Sequence, residues 1–182
     1  MAQQENLKTS AQRAQAIERM IRVNHAGEFG AKRIYAGQLA VMGDRTPAAR
    51  SIAHMAEQEE RHLSAFDKMM TERGVRPTAL HPVWNVAGFA LGAVSAAIGP
   101  EAAMACTVAV ETEIDRHYSE QLAEIGDSDP ELSAMIEDFQ ADELEHKATA
   151  LEQGAERAPA YPLLSALVRM GCRTAISLSK HI

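Results

Sequence analysis

A glutamate and a histidine three residues apart occur twice in this chain, as Glu59-x-x-His62 and Glu143-x-x-His146. On an α-helix such a pair shares one face and can bind one metal ion. With 18 Glu and 7 His in 182 residues, about 0.7 such pairs arise by chance, so a single copy would say little. Here each copy has a matched partner upstream. Glu28 lies 31 residues before Glu59, and Glu111 lies 32 before Glu143, each one long helical hairpin away. The chain therefore reads Glu, Glu-x-x-His, and then the same again. The pattern calls for four helices that turn two single Glu and two Glu-x-x-His pairs towards one another. Four Glu and two His are the ligand set of two-metal carboxylate bundles. Hard carboxylate oxygens with imidazole suit iron or manganese.

Composition agrees with helices. One domain, residues 1–182, is expected at this length. Apolar residues make up 46% and can form a sizeable core, while aromatics are only 4% and Ala and Met are abundant. That balance favours closely packed helices over sheets, hence an all-α fold. Cys106 and Cys172 have no metal-binding spacing and read as inert thiols in a reducing compartment. A net charge of −7 argues against a nucleic-acid partner. Residues 1–15 are polar and show no apolar core of a signal peptide. Charge is uneven: residues 157–182 hold Arg157, Arg169, Arg173 and Lys180 and no acidic residue.

Residues 1–9 are expected to fray, with a first helix from Ser10 as N-cap to Met42. Its inward stripe is Ile17, Ile21, Asn24, Glu28, Ala31, Tyr35, Leu39 and Met42. Gly27 and Gly30 flank Glu28 and would let a helix or a ligand come close. The second helix starts at Thr46-Pro47 and stops at Gly74. Its stripe of Ile52, Met55, Glu59, His62, Phe66 and Met69 points Glu59 and His62 inward. Residues 83–98 carry no charge and are shorter than the ~20 residues of a bilayer span. They read either as a buried crossover helix or as an apolar surface in a membrane interface. In the next helix spacing does not choose between Glu111 and Glu113. The stripe Met104, Val108, Glu111, Tyr118, Leu122, Ile125 selects Glu111 and leaves Glu113 with Glu120 and Glu124 on a polar face. A helix from Asp129-Pro130 to Gly154 turns Leu132, Ile136, Phe139, Glu143, His146 and Ala150 inward. Residues 163–180 form an amphipathic C-terminal helix that either lies on anionic lipid or packs on the bundle.

The run Ile21-Arg22-Val23-Asn24-His25-Ala26-Gly27-Glu28, the two Glu-x-x-His copies and Gly171-Cys172 together resemble the demethoxyubiquinone hydroxylases. The resemblance spans residues 19–182, and its most specific part is Asn24-His25-Ala26-Gly27-Glu28. It implies a ferritin-like four-helix bundle with a di-iron core and additional hydrophobic or amphipathic helices. On this reading Glu28, Glu59, His62, Glu111, Glu143 and His146 hold two Fe ions. The implied activity is a monooxygenase reaction of ubiquinone biosynthesis, in which O2 hydroxylates the ring of a polyprenyl demethoxyubiquinol. The implied location is peripheral, on the cytoplasmic face of the cell membrane. Expected partners are the membrane interface, a lipid-binding accessory protein of ubiquinone biosynthesis, and a further copy of the chain in a homo-oligomer. His117 and Tyr118 are implied in proton or electron delivery, although Tyr118 also reads as a core tyrosine. Asp142, next to Glu143, is placed to reach across and orient His62. His25, one turn before Glu28, reads as a supporting residue rather than a ligand. No Gly-x-Gly-x-x-Gly fingerprint is present, so a nicotinamide reductant would bind without that motif or act through a carrier. The alternative is a ferritin- or rubrerythrin-like protein that oxidises iron or scavenges peroxide. The uncharged segment 83–98 and the lack of a Cys-x-x-Cys pair speak against it.

Overall fold

Helix ends fall where local chemistry places them. Thr46 Oγ1 accepts a bond from the Ala49 N–H at 3.1 Å, and Pro47 takes the first helical position of α2 (Pro47–Arg73). Gly74 closes that helix with φ 66°, a left-handed conformation that favours glycine. Asp129 caps α5 (Pro130–Glu152) by accepting from the Leu132 N–H at 3.1 Å. The remaining helices are α1 (Ala2–Met42), α3 (His81–Ile98), α4 (Pro100–Ile125) and α6 (Tyr161–Ser179). This computed structural model describes the backbone of residues 2–180 and the side chains of residues 10–180. The expected fraying of residues 1–9 lies outside those side chains. Ser10 is not an N-cap, because no glycine or proline interrupts residues 2–10 and α1 runs through them. At the other end α5 stops at Glu152, two residues before Gly154, whose φ of 90° starts a single 3-10 turn.

Helices α1, α2, α4 and α5 form the ferritin-like bundle. Cross-helix bonds fix their antiparallel pairing: Asn24 with Gln121 and Gln38 with the Ala103 carbonyl join α1 to α4. Arg73 with Asp129 and Arg61 with Asp138 join α2 to α5. Most of the expected inward stripes is buried, among them Ile21, Tyr35, Ile52, Phe66, Met104, Tyr118, Leu132 and Ile136, while Ile17, Leu39, Met42 and Leu122 are half-buried. Helices α3 and α6 add an outer layer over α1 and α4. The molecule thus has three layers: α2 with α5, α1 with α4, and α3 with α6.

The two outer helices attach differently. Against α1, α3 packs backbone to backbone: a Cβ at Gly92 would collide with the Ile34 carbonyl, and one at Gly37 with that of Phe89. As the crossover between α2 and α4, α3 is where the sequence puts it, but it is not buried. Of its residues only Gly92, Ser95 and Ala96 are fully buried, and Val83, Val86, Val94 and Ile98 face outward. α6 is held by ions. Glu113, expected on a polar face, is fully buried and accepts bonds from Arg116, Arg169 and Arg173. The reason is tertiary: α6 covers that side of α4 and brings two arginines to it. Trp84 on α3 donates to Ser179 Oγ on α6 at 3.1 Å and links the layer.

Candidate metal centre

Three- and four-residue steps bring the inward residues of four helices to one level between the α1/α4 and α2/α5 layers. Glu28, Glu59, His62 and Glu143 form one group whose ligand atoms lie within 4.8 Å of one another. Glu59, Glu111, Glu143 and His146 form a second group under the same limit. All six residues are at most 1% exposed. Glu59 and Glu143 belong to both groups, while Glu28 with His62 and Glu111 with His146 flank them on either side.

The electrostatics of this cluster call for cations. Both oxygens of Glu59, Oε2 of Glu111 and Oε1 of Glu143 are buried without a hydrogen-bond partner. Burial and then neighbouring carboxylates, Glu143 foremost, push Glu59 and Glu111 well above the usual carboxylate range. Burial works against a charged His62. The Glu143 and Glu28 carboxylates, each with an oxygen 3.3 Å from Nδ1, nevertheless outweigh it and raise the imidazole to about 10. Burial likewise opposes ionisation of Glu143, but His146 and His62 win and hold it at about 2. A site that recruits protons onto buried carboxylates and histidine is one that multivalent metal ions neutralise. The donor set, carboxylate oxygen with imidazole nitrogen, fits iron or manganese.

Two tyrosines cross between the halves. Tyr35, seven residues after Glu28, donates to Glu111 Oε1 at 2.5 Å. Tyr118, seven residues after Glu111, donates to Glu28 Oε1. Burial first and then the neighbouring carboxylates keep both phenols well above their ordinary range, so both remain donors.

Each histidine is backed from the opposite helix. His62 Nε2 lies 3.0 Å from Asp142 Oδ2, the contact expected from the sequence. Asp142 also receives Arg61, whose guanidinium sits 5.1 Å from the Phe139 ring centroid, and Phe139 stacks on His62 at 4.0 Å. Burial raises the Asp142 carboxyl, but the bonds from His62 and Arg61 prevail and hold it below its usual range. His146 Nε2 lies 3.0 Å from Gln58 Oε1. With both Nε2 atoms engaged, Nδ1 of each histidine faces the carboxylates, at 3.3 Å from Glu28 for His62 and 3.0 Å from Glu143 for His146. Sequence reading missed Gln58, although it precedes Glu59 as Asp142 precedes Glu143.

Two expected residues are not brought to the cluster. His25 Nε2 pairs with Asp67 Oδ1 at 2.9 Å and its ring stacks on His81. His117 Nε2 meets the Gln121 amide at 2.9 Å and lines an outward pocket with Arg19, Glu120 and Lys180. Cys106 and Cys172 are free thiols raised by burial to about 12, consistent with inert packing residues.

Two further spaces adjoin the cluster's layers. On the outer side of α2 and α5, a polar pocket lined by Arg50, His54, Gln58 and Glu145 reaches His146. Between the α1/α4 and α3/α6 layers lies an apolar cavity of about 280 Å³. Gly27 of α1 and Val110 of α4, next in sequence to Glu28 and Glu111, line it together with Gly30, Ala31 and Ile114.

Fold and site define a class, the carboxylate-rich helical bundles that can hold two metal ions. The chain matches the family model of the ubiquinone biosynthesis protein COQ7 over residues 15–179. It is 48% identical over 169 residues to the 3-demethoxyubiquinol 3-hydroxylase of Rhodospirillum rubrum, covering 93% of this chain and 80% of that protein. It is 52% identical over 170 residues to the mitochondrial NADPH-dependent 3-demethoxyubiquinone 3-hydroxylase of Mus musculus, covering 91% and 78%. The mitochondrial 5-demethoxyubiquinone hydroxylase of Saccharomyces cerevisiae is 39% identical over 182 residues, covering 91% and 78%. The chain belongs to the COQ7 family of ubiquinone biosynthesis, as the resemblance at residues 21–28 implied.

Proposed function

We propose that this chain is a di-iron monooxygenase that hydroxylates the ring of a polyprenyl demethoxyubiquinol with O2. The observation that carries the reading is the apolar cavity between the middle and outer layers, backing onto the segments that hold Glu28 and Glu111. An iron store or a peroxide scavenger needs no such space, whereas a prenylated ring needs an apolar path to the metal. Glu28, Glu59, His62, Glu111, Glu143 and His146 would hold the two ions. When bound, two iron ions supply the change of oxidation state that O2 activation requires.

The chain's own residues do the positioning. Glu59 and Glu143, common to both ligand groups, hold the two metal positions together. Asp142 and Gln58 hold the imidazoles with Nδ1 inward, and the phenols of Tyr35 and Tyr118 fix one oxygen each of Glu111 and Glu28. Gly27 and Gly30 keep the cavity wall low where a ring would lie, since no side chain projects from them. The electrons come from a reduced nicotinamide donor, the requirement carried in the mouse relative's name.

Membrane attachment is part of the same reading. The outward residues Val83, Val86, Val94 and Ile98 of α3 and Leu163, Leu167 and Met170 of α6 give an apolar face on the layer that roofs the cavity. With 18 residues and mean hydropathy 1.2, α3 meets the length and composition of a membrane span. It nonetheless lies along α1, with the Arg33 guanidinium 5.1 Å from the Phe89 ring centroid. That cation belongs at an interface, so α3 lies on the bilayer rather than across it.

The test is iron content together with turnover. The chain is purified in detergent, iron per chain is counted, and demethoxyubiquinol, reductant and O2 are added. About two iron ions per chain with a hydroxylated quinol is the expected result. Iron bound with no quinol product, but with Fe(II) or peroxide consumed, would move the chain to iron handling or peroxide removal.

A further inference from the structure

The basic residues of α6 do not simply point into solvent. Arg169 Nε donates to Glu113 Oε1 at 2.6 Å. Arg173 donates to both oxygens of Glu113, at 2.9 Å each. Arg116 Nε donates to Oε2 at 3.0 Å, and its Nη1 is taken by Glu120 at 2.6 Å. Three guanidinium groups thus share two carboxylates, and the cluster is left with a surplus positive charge. Among the described residues, both Nη atoms of Arg169 and Nη1 of Arg173 have no acceptor. The two side chains remain 39% and 53% exposed. Their inner edges are fixed while their outer edges still have N–H groups to donate.

Position along the helix adds a second observation. Leu163, Leu167, Met170 and Leu178 form an exposed apolar stripe on α6, 62%, 54%, 61% and 43% exposed. At about 100° per residue, Arg173, Lys180 and Arg169 fall together about 60–100° to one side of Met170, flanking that stripe. A ligand that meets this edge meets apolar surface and guanidinium at once. Free phosphate offers only the second, and an apolar protein surface only the first. A phospholipid with an anionic headgroup offers both, acyl chains for the stripe and a phosphate for the planar donors.

We propose that Arg169 and Arg173, held in place by Glu113, bind the phosphate of an anionic phospholipid at the edge of the apolar face of α6. The inference rests on the membrane-surface reading above and names the lipid chemistry within it. Glu113 acts as the positioning residue. A free arginine loses rotamer freedom when it binds phosphate, whereas these two are already ordered by a buried carboxylate. The site lies beside Val168 and Cys172, which line the apolar cavity, so a bound headgroup would fix α6 over that cavity.

Sedimentation of the full chain with two kinds of vesicle tests this. One is phosphatidylcholine alone, and the other is phosphatidylcholine mixed with phosphatidylglycerol. Binding is expected roughly tenfold tighter to the mixed vesicles, with the gain erased by high salt. The triple variant Glu113→Gln/Arg169→Gln/Arg173→Gln leaves no buried charge unpaired. It should keep its binding to phosphatidylcholine and lose the gain. Should that variant not fold, Arg169→Lys/Arg173→Lys keeps the charge but not the planar fork, and should lose much of the gain. Equal binding of the unaltered chain to both vesicles would overturn the headgroup site and leave the membrane reading standing. No binding to either would overturn both. Displacement by millimolar inorganic phosphate would make this a free-anion site and also overturn the proposal.

Discussion

Seen from the metal cluster, the α1–α2 and α4–α5 halves are near copies. Glu28 and Glu111 each precede, by seven residues, a tyrosine that bonds the carboxylate of the other half. Glu59 and Glu143 each precede their histidine by three, and the residue before each backs the histidine of the opposite half. Yet the two backing residues differ. Asp142 is a carboxylate, tied to Arg61 and held ionised, while Gln58 is a neutral amide on the wall of a polar pocket. On the outer side the match ends: Gly30, on the cavity wall, stands where the other half has Glu113, and Gly37 receives α3 whereas the buried Glu113 receives α6. Residues that serve a two-fold site keep the repeat, and residues that meet unlike neighbours depart from it. The two groups of candidate ligands therefore have unlike surroundings, a carboxylate paired with Arg61 behind His62 and a neutral amide behind His146.

The largest effects come from breaking what the halves share. Glu143→Ala removes a carboxylate common to both ligand groups and should leave no tightly held iron and no hydroxylation. Glu28→Ala removes a carboxylate of one group only and should leave about one iron ion per chain. Iron counted after anaerobic loading and desalting separates them. Equal iron in the two variants would mean that the groups are not built as a shared pair.

Next in size are the backing residues. Asp142→Asn makes the two histidines alike and should weaken iron at the His62 position by about 10–100-fold. Gln58→Ala should act on the His146 position and by less, because a neutral acceptor polarises an imidazole less than a carboxylate does. Stepwise Fe(II) titration of the two variants reads this, and Mössbauer spectra of the loaded protein give an independent view. Two distinct iron environments are expected in the unaltered chain, converging in Asp142→Asn. A Gln58→Ala loss larger than that of Asp142→Asn would reverse the order argued from charge.

Much of this arrangement is legible without coordinates, and physics says which part. The level of Glu28, Glu59, His62, Glu111, Glu143 and His146 follows from helix period, a local property, so their stripes were readable residue by residue. Thr46-Pro47 and Asp129-Pro130 announce helix starts for the same reason. The burial of Glu113 is not legible in this way because its surroundings are not local: Arg169 and Arg173 lie 56 and 60 residues away. On α4 alone its face is polar, and only the docking of α6 buries it. The α1–α3 contact at Gly37 and Gly92 is non-local in the same way. Gln58 is harder to read because an amide carries no charge, although its offset from Glu59 repeats that of Asp142 from Glu143. His25 was expected to support Glu28, being one turn away on α1, but Asp67 on α2 and His81 on α3 draw it off the cluster.

The smallest effects are expected where the halves match best. Tyr35→Phe and Tyr118→Phe each keep a buried ring and delete one hydroxyl, leaving a buried carboxylate oxygen short of a donor. The metal-free protein should lose about 1–3 kcal/mol in each case, read by chemical denaturation, and both variants should still bind both iron ions. If the tyrosines only brace Glu111 and Glu28, the two variants should also turn over alike, because the bonds they lose are equivalent. A delivery role confined to Tyr118 predicts otherwise: kcat would fall in Tyr118→Phe well beyond the fall in Tyr35→Phe, at similar iron content and stability. The pair of measurements thus uses the symmetry of the bundle as its own control, because any function added to one tyrosine must appear as a difference from its twin.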